Sequence, residues 1–253
     1  MLQIIELLGA GFAAGVINAV AGGGTFIVFP LLVSTGIPVV NANATTTLVV
    51  QPGTLSSAFG YRKALQKLPK FYLLLIIPGL LGGLAGAVIL NHTSNAIFGR
   101  IVPFFILSAT VLLLFQPTIH SWATNKNRPK RSPKSSFALL VVLFFCLALY
   151  GGYFGAGYGI MALGILGLTN LEDIHQMNGL KNLVGTGFGI TSATYYIMNH
   201  LIYWPILPAL LLGNVAGGYF GALYASRLPR TVIRYIAVTI GLIISVALFV
   251  KYY

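Results

Sequence analysis

The sequence predicts an all-α polytopic membrane protein built from two inverted-topology repeats. Of its 253 residues, 57% are hydrophobic and only 7% are charged, whereas soluble proteins carry about 25% charged residues. The apolar stretches are as long as helices that cross a bilayer. One fixed shift, which moves Gly22 onto Gly157, also superimposes several asparagine, serine and tyrosine residues on one another. A charge-poor, duplicated sequence of this kind is typical of secondary transporters.

Eight apolar stretches define the predicted elements. They run roughly over 4–35, 41–60, 71–91, 99–116, 137–168, 178–198, 203–225 and 231–250. Six of them have about 18–23 residues, which is the length that one helix needs to cross a bilayer. The other two are longer, and glycines at 22–24 and 155–159 interrupt them. We therefore expect each repeat to consist of one glycine-broken hairpin segment and three transmembrane helices.

The duplication extends through three separate stretches of the chain. We call the shift that moves Gly22 onto Gly157 the repeat offset, and it also moves Asn43 onto Asn178, Ser57 onto Ser192 and Tyr61 onto Tyr196. The same offset aligns the glycine-rich stretches 82–87 and 217–222. Chance rarely preserves one offset over polar residues as well as glycines. We expect 1–116 to be the first repeat, 117–136 to be a basic cytoplasmic linker and 137–253 to be the second repeat.

The basic residues predict how the repeats are oriented. The formal net charge is +12, from 15 Lys and Arg against 3 Asp and Glu. Most of the basic residues lie in three connections, at 62–70, 126–134 and 227–234. Basic charge in short loops between apolar stretches indicates topology, and not nucleic-acid binding, and it marks the cytoplasmic side. The second repeat is then upside down relative to the first, with both termini outside the cell membrane.

The residues that an enzyme would need are scarce. The single cysteine, Cys146, lies inside an apolar stretch and excludes an intrachain disulfide. Four histidines are scattered near the ends of the apolar stretches. No spacing typical of a metal site, a catalytic pair or a nucleotide-binding loop is present. We therefore expect no catalytic residue, no metal site and no cofactor.

Two predicted crossings, 41–60 and 178–198, are unusually polar, and they occupy equivalent places in the two repeats. Each carries polar residues four apart, which share one helical face. These faces are Asn43, Thr47 and Gln51 in one repeat and Asn178, Asn182 and Thr186 in the other. Polar groups at membrane depth are costly unless they contact protein or water. They either join helices to one another or line an aqueous path.

The glycine breaks and Lys181 predict where a substrate binds. A half-helix that begins at Thr25 or Ile160 would point its free N–H groups into the centre of the protein. Two such ends, from opposed repeats, form an anion site. Lys181 would add positive charge near the inner mouth, unless its ammonium group extends to the cytoplasmic surface. The predicted binding residues are Asn18, Gly22, Gly23, Gly24, Thr25, Asn43, Thr47, Gln51, Gly157, Tyr158, Gly159, Asn178, Lys181 and Asn182.

Three stretches of the chain resemble one known family. Residues 11–30, GFAAGVINAVAGGGTFIVFP, look like the opening of the TauE/SafE sulfite exporter family. Residues 43–47 and 151–159 fit the same family, although Tyr158 stands where a third glycine is common. The resemblance covers essentially the whole chain. It implies a membrane permease for small sulfur-containing anions, such as sulfite and sulfonates, which often move outward.

We expect a secondary transporter that exports a small anion, sulfite or an organosulfonate, by alternating access. An anion channel and a non-transporting assembly or sensor subunit stay open as alternatives. Its partners would be the anionic substrate and the lipid bilayer, without nucleic acid, and a homo-oligomer is possible. The only carboxylates are Glu6, Glu172 and Asp173, and none is central to a crossing. Export along the electrical gradient of a negative-inside cell is therefore the simplest mechanism.

Overall fold

The chain folds into helices that follow the predicted crossings. A computed structural model describes residues 2–21, 24–123, 133–169, 171, 173–224 and 230–253, and within these ranges it contains helices and no strand. Short 3-10 turns, Lys70–Leu75 and Trp204–Ile206, lead into two of the helices. The helices are α1 (Leu2–Ala21), α2 (Thr25–Ser34), α3 (Val39–Gly60), α4 (Arg62–Gln66), α5 (Ile76–Asn91), α6 (Asn95–Leu114), α7 (Gln116–Ala123), α8 (Pro133–Tyr153), α9 (Tyr158–Leu166), α10 (Ile174–Met198), α11 (Leu207–Tyr224) and α12 (Arg230–Tyr252).

The helix order repeats with the offset seen in the sequence. Helix α3 begins at residue 39 and α10 at residue 174, and α6 begins at residue 95 and α12 at residue 230. Both differences equal the repeat offset. Helices α1 and α8, α2 and α9, and α5 and α11 correspond in the same way, with ends that differ by a few residues. Each half therefore contains a pair of helices in place of the long apolar stretch, followed by three long helices.

Equivalent helices of the two halves pack against each other in antiparallel directions. Gln51 of α3 donates from Nε2 to the carbonyl oxygen of Thr186 in α10 at 3.0 Å, and these two residues are themselves separated by the repeat offset. Further along α3, Tyr61 lies beside Gly179, nearer the beginning of α10. Helices α3 and α10 therefore run in opposite directions past each other. The inversion of the two halves across a bilayer stays a prediction.

The closest helix–helix contacts join one half of the protein to the other. Helix α1 packs mainly on α11, and α5 packs mainly on α8, so each pair contains one helix from each half. Glycines bring the backbones together: a Cβ on Gly86 would overlap the carbonyl oxygen of Leu149, and a Cβ on Gly217 would overlap that of Phe12. Small residues allow such close packing in lipid, where the hydrophobic effect does not hold helices together. The halves consequently interlock and do not form separate lobes.

The first long apolar stretch divides at its glycines. Helix α1 ends at Ala21, and α2 begins at Thr25, as predicted. A Cβ on Gly24 would lie 2.9 Å from the carbonyl oxygen of Ala14 and 3.1 Å from Cβ of Asn18. The chain therefore turns back onto α1 before α2 begins. Of the predicted site residues, Gly22 and Gly23 lie outside the described ranges.

The second long stretch divides slightly earlier than expected. Helix α9 begins at Tyr158, two residues before the predicted start at Ile160. Gly155 and Gly157 have φ angles of 81° and 77°, a left-handed conformation that glycine adopts at no steric cost. Because the reversal is complete at Gly157, the helix resumes at the next residue.

The outer surface of the helices is suited to lipid. Within the described ranges, three segments are long and apolar enough to cross a membrane, namely Lys70–Asn91, Asn95–Leu114 and Arg234–Tyr252. Large apolar side chains, such as Leu81 and Ile243, are exposed on this surface. The protein is therefore an all-α polytopic membrane protein. Part of the predicted linker is helical, since α7 ends at residue 123 and α8 begins at residue 133, and the residues between them lie outside the described ranges.

We predict that Gly86→Ala destabilises the protein by about 1–3 kcal/mol, because the added methyl group has to push the backbones of α5 and α8 apart. Thermal unfolding of the detergent-purified protein measures the effect. Gly9→Ala is the matched control, since a Cβ on Gly9 meets nothing within 4 Å. The close packing would be contradicted if both variants unfolded at the same temperature.

Candidate functional site

A cavity of about 350 Å³ lies between the two halves. Helices α3 and α10 form its long walls, and the glycine-rich turn before α9 also lines it. The cavity extends along α3 from Thr46 to Tyr61, the residue that follows the helix, next to the basic connection 62–70. The cavity therefore reaches the side that the basic residues assign to the cytoplasm.

Most of the predicted binding residues come together in this cavity. The predicted residues that line it are Asn18, Thr25, Thr47, Gln51, Gly157, Tyr158, Gly159, Asn178, Lys181 and Asn182. Gly24 and Asn43 are described but do not line it. Asn18 and Thr25, which flank the first glycine break, and the glycine-rich turn before α9 thus line one space from opposite halves of the protein.

Lys181 supplies the positive charge of the cavity. Its Nζ donates to Oδ1 of Asn178 at 2.9 Å. The same Nζ lies 3.7 Å from the place that a Cβ of Gly159 would take, beside the first turn of α9. The beginning of a helix carries a partial positive charge. No carboxylate of the described residues pairs with the ammonium group, so two positive ends meet at a place without a counter-ion.

Asn178 holds this ammonium group in place. Its Nδ2 donates to the carbonyl oxygen of Ile174 at 3.0 Å, while its Oδ1 accepts from Lys181. The carboxamide is therefore tied to its own helix at one end and to the cation at the other. In this structure Asn178 positions Lys181 within the cavity.

Side chains on the polar face of α3 form some of their hydrogen bonds within the protein. Thr47 donates from Oγ1 to the carbonyl oxygen of Asn43, one turn earlier, at 3.1 Å. The hydrogen bond of Gln51 to Thr186 joins α3 to α10. Gln51 thus connects helices while it lines the cavity, so the two explanations offered for this polar face apply together.

Asn43 lies on the closed side of the cavity. Only 1% of the residue is exposed, and its Nδ2 donates to the carbonyl oxygen of Tyr153 at 2.8 Å. Its sequence equivalent, Asn178, lines the open cavity. The cavity reaches one end of the α3–α10 pair and not the other. Residues that are equivalent in sequence therefore have different surroundings.

Aromatic side chains form an apolar part of the wall. Phe26, Phe154 and Phe188 line the cavity together with Tyr158. The ring of Tyr158 packs edge-on against Phe188, with 4.6 Å between the ring centroids. Its hydroxyl donates to the carbonyl oxygen of Lys181 at 3.2 Å. Tyr158 therefore fixes the backbone that carries the cation and gives the cavity an aromatic surface.

Several lining residues were missed by the sequence analysis. These are Phe26, Thr46, Val50, Thr54, Ser57, Tyr61, Gln116, Gly151, Phe154, Gly155, Leu163, Gly185 and Phe188. Thr54, Ser57 and Tyr61 continue the face of Thr47 and Gln51 at helical spacing, which is a signal that the sequence contains. Gln116 comes from the beginning of α7, and no pattern pointed to it.

The similarity to known proteins extends over the whole chain. The model of the family described as sulfite exporter TauE/SafE matches residues 7–248. A probable membrane transporter protein of Haemophilus influenzae is 30% identical over 226 residues, which cover 88% of this chain and 86% of that protein. The probable membrane transporter proteins YfcA of Escherichia coli K12 and YdhB of Bacillus subtilis 168 are 22% and 23% identical, over 93% and 92% of this chain and 85% and 94% of their own lengths. No solved structure matches the chain.

Proposed function

The chain belongs to the sulfite exporter TauE/SafE family, and from this premise we propose that this membrane transporter carries a small sulfur-containing anion, sulfite or an organosulfonate, out of the cell. The observation that carries the proposal is the ammonium group of Lys181 beside the first turn of α9. A charge at membrane depth is costly unless it is paired. An anion in the cavity would supply the missing counter-ion.

The chemistry of the cavity suits an oxyanion. An ammonium group and the positive end of a helix both attract the oxygen atoms of an anion. At the start of α9 the N–H groups of Tyr158 and Ile160 donate to the carbonyl oxygens of Gly155 and Gly157, so the helix acts there mainly through its dipole. Asn18 and Asn182 add carboxamide groups from opposite halves. Each hydrogen bond to a charged group contributes about 1.5–3 kcal/mol. One cation and several neutral donors fit an anion of low charge.

The size and the aromatic wall of the cavity favour an anion with an apolar part. Sulfite has four heavy atoms, and a volume of about 350 Å³ leaves room for a larger molecule. Phe26, Phe154 and Phe188 offer an apolar surface to the carbon chain of such a molecule. Within the proposed class, an organosulfonate therefore uses more of the cavity than sulfite does.

The electrical potential is sufficient to drive export. Of the described carboxylates, Glu6 is exposed and Asp173 accepts from the backbone N–H of His175 at 2.8 Å, and neither lines the cavity. Among the residues that the structure describes, no carboxylate lines the cavity and could exchange a proton there during transport. A potential of 100 mV contributes roughly 2.3 kcal/mol per charge that leaves a negative-inside cell. Transport that requires a proton gradient would contradict this mechanism.

We predict that Lys181→Met lowers the apparent anion affinity by roughly tenfold to a hundredfold, because a hydrogen bond to a charged group is lost. Currents of proteoliposomes on a solid-supported membrane, with sulfite, thiosulfate, ethanesulfonate and acetate as substrates, measure the affinity. Lys63→Met is the control, since Lys63 is exposed on α4 and outside the cavity. Saturable currents that give the same apparent affinity for the two variants would contradict the proposal.

Asn178→Asp tests whether the cation has to stay unpaired. The new carboxylate would lie within hydrogen-bond distance of Nζ of Lys181, where Oδ1 of Asn178 now accepts at 2.9 Å. We expect it to neutralise the ammonium group and to lower the anion affinity about as far as the loss of Lys181 does. Asn199→Asp adds the same charge on the exposed residue after α10 and should leave the affinity unchanged. An undiminished affinity of the Asn178→Asp protein would show that Lys181 does not bind the anion.

A further inference from the structure

The two ends of the cavity differ in a way that points to a second state. We propose that three hydrogen bonds close the outer end in this structure and that their equivalents, related by the repeat offset, close the inner end when the cavity opens outward. We call the first set the outer gate and the second set the inner gate. This inference rests on the proposed transport function and specifies how the site changes sides.

Two bonds of the outer gate end on the last turn of α8. Tyr196 of α10 donates its hydroxyl to the carbonyl oxygen of Gly152, and Asn43 of α3 donates to that of Tyr153 at 2.8 Å. Both Tyr196 and Asn43 are buried. They join α3 and α10 to the end of α8 just beyond the cavity, so they separate the cavity from the outer side.

The third bond of the outer gate joins α10 to α5. Oγ of Ser192 lies 3.0 Å from the carbonyl oxygen of Gly83 and 2.7 Å from that of Phe188 in its own helix, so it shares one hydroxyl proton between the two helices. One residue earlier, Thr191 donates to the carbonyl oxygen of Leu80 at 3.1 Å. Helix α10 packs along much of α5, whereas the equivalent pair, α3 and α11, makes only a limited contact. The packing of the two halves is therefore unequal at this interface.

The residues of the inner gate line the cavity. The repeat offset relates Tyr196 to Tyr61, Asn43 to Asn178 and Ser192 to Ser57. All three equivalents lie on the cavity wall. The carbonyl oxygens equivalent to those of Gly152, Tyr153 and Gly83 belong to Ile17, Asn18 and Gly218. Asn178 instead donates to Ile174 of its own helix.

A gap exists where the inner gate would form. A Cβ on Gly83 would lie 2.6 Å from Cα of Phe188, whereas a Cβ on the equivalent Gly218 would meet nothing within 4 Å. One turn before Gly218, the side chain of Asn214 is buried, and its Nδ2 has no hydrogen-bond partner. Helix α11 therefore leaves space beside Gly218 at its incomplete interface with α3. An unpaired atom occurs in the outer gate as well, where Oδ1 of Asn43 has no hydrogen-bond partner, so the space distinguishes the two sides and the unpaired atom does not. Movement of α3 onto α11 would fill this space.

The switch from the outer gate to the inner gate also affects Lys181. In the outward-open state, Tyr61 donates to the carbonyl oxygen of Ile17, Asn178 donates to that of Asn18, and Ser57 donates to that of Gly218. Asn178 thereby leaves the carbonyl oxygen of Ile174, and its hold on Lys181 changes. The carboxamide of Asn178 thus takes part both in closing the inner gate and in freeing the ammonium group of Lys181 to turn towards the outer side.

Two matched substitutions test whether the outer and inner gates close in alternation. Tyr196→Phe removes one hydroxyl from the outer gate, and Tyr61→Phe removes the equivalent hydroxyl from the inner gate. A single cysteine, Val50→Cys, is placed on the cavity wall after Cys146→Ser removes the native one. An impermeant maleimide then labels it in vesicles of either orientation. The ratio of inside to outside labelling rates reports the balance of the two states.

We expect Tyr196→Phe to lower this ratio and Tyr61→Phe to raise it, each roughly threefold to tenfold, as the loss of one hydrogen bond implies. Shifts in the same direction, or no shift in either variant, would overturn the proposal. The labelling needs no substrate. If sulfite and sulfonates do not slow the maleimide labelling of the cysteine while the two shifts appear, the proposed substrate is wrong and the proposed gates are supported.

A cross-link provides a second test that leaves the outer gate intact. Ser57→Cys and Gly218→Cys, introduced together with Cys146→Ser, should form a disulfide under mild oxidation. In the equivalent pair on the outer side, Oγ of Ser192 lies 3.0 Å from the backbone carbonyl oxygen of Gly83, which brings the two helices close enough at this point for cysteine side chains to meet. Gly218 has room for the new side chain. Addition of Tyr196→Phe should accelerate the cross-link about threefold or more. A protein that labels normally at each single cysteine but never cross-links would contradict the inner gate.

Discussion

Backbone N–H and C=O groups that a broken helix leaves free cannot be exposed to lipid, and this constraint shapes the whole protein. The chain breaks after α1 and again after α8, at equivalent places in the two repeats. The described glycines at these breaks are kept away from the lipid, since Gly24 is buried against α1 and Gly157 lines the central cavity. Helices α3 and α10, which are the polar members of the bundle, enclose that cavity. The lipid-facing surface is left to apolar helices such as α6 and α12.

The same arrangement explains why a cation is tolerated inside the protein. Lys181 lies beside the first turn of α9, and its ammonium group has a neutral carboxamide as a hydrogen-bond partner. A buried cation without a counter-ion is unfavourable in a structural role, because desolvation outweighs one hydrogen bond. In a site that binds and releases an anion, however, such an unpaired cation is useful, because the anion itself becomes the counter-ion. The aromatic wall and the room in the cavity are compatible with the organosulfonate that we propose as substrate.

The sequence predicted the elements of this fold well because its signals are local. The repeat offset identified α3 with α10 and α6 with α12, and the starts of these helices differ by the same offset. The glycine breaks located the turns, although α9 begins two residues early because the left-handed residue is Gly157. The polar spacing on α3 predicted Thr47 and Gln51 on the cavity wall. These features depend on helix period and on glycine geometry, both of which can be read from the chain.

What the sequence did not predict is the difference between the two halves. Asn43 and Asn178 are equivalent in sequence, yet one is sealed against Tyr153 and the other lines the cavity. A repeat states which residues correspond, and it does not state which end of the cavity is open. Gln116 was missed for another reason, since it reaches the cavity through the placement of α7, which no periodicity encodes. Both facts depend on tertiary packing.

The central claim is that an anion binds between the two glycine breaks, next to Lys181. A crystal of the protein soaked with selenite, a heavier analogue of sulfite, would test it most directly through the anomalous signal of selenium. We predict one peak in the cavity, within hydrogen-bond distance of Nζ of Lys181 and beside the first turn of α9, that competing sulfite removes. A cavity without a peak, or selenium bound only at the basic surface near Arg62, would contradict the claim.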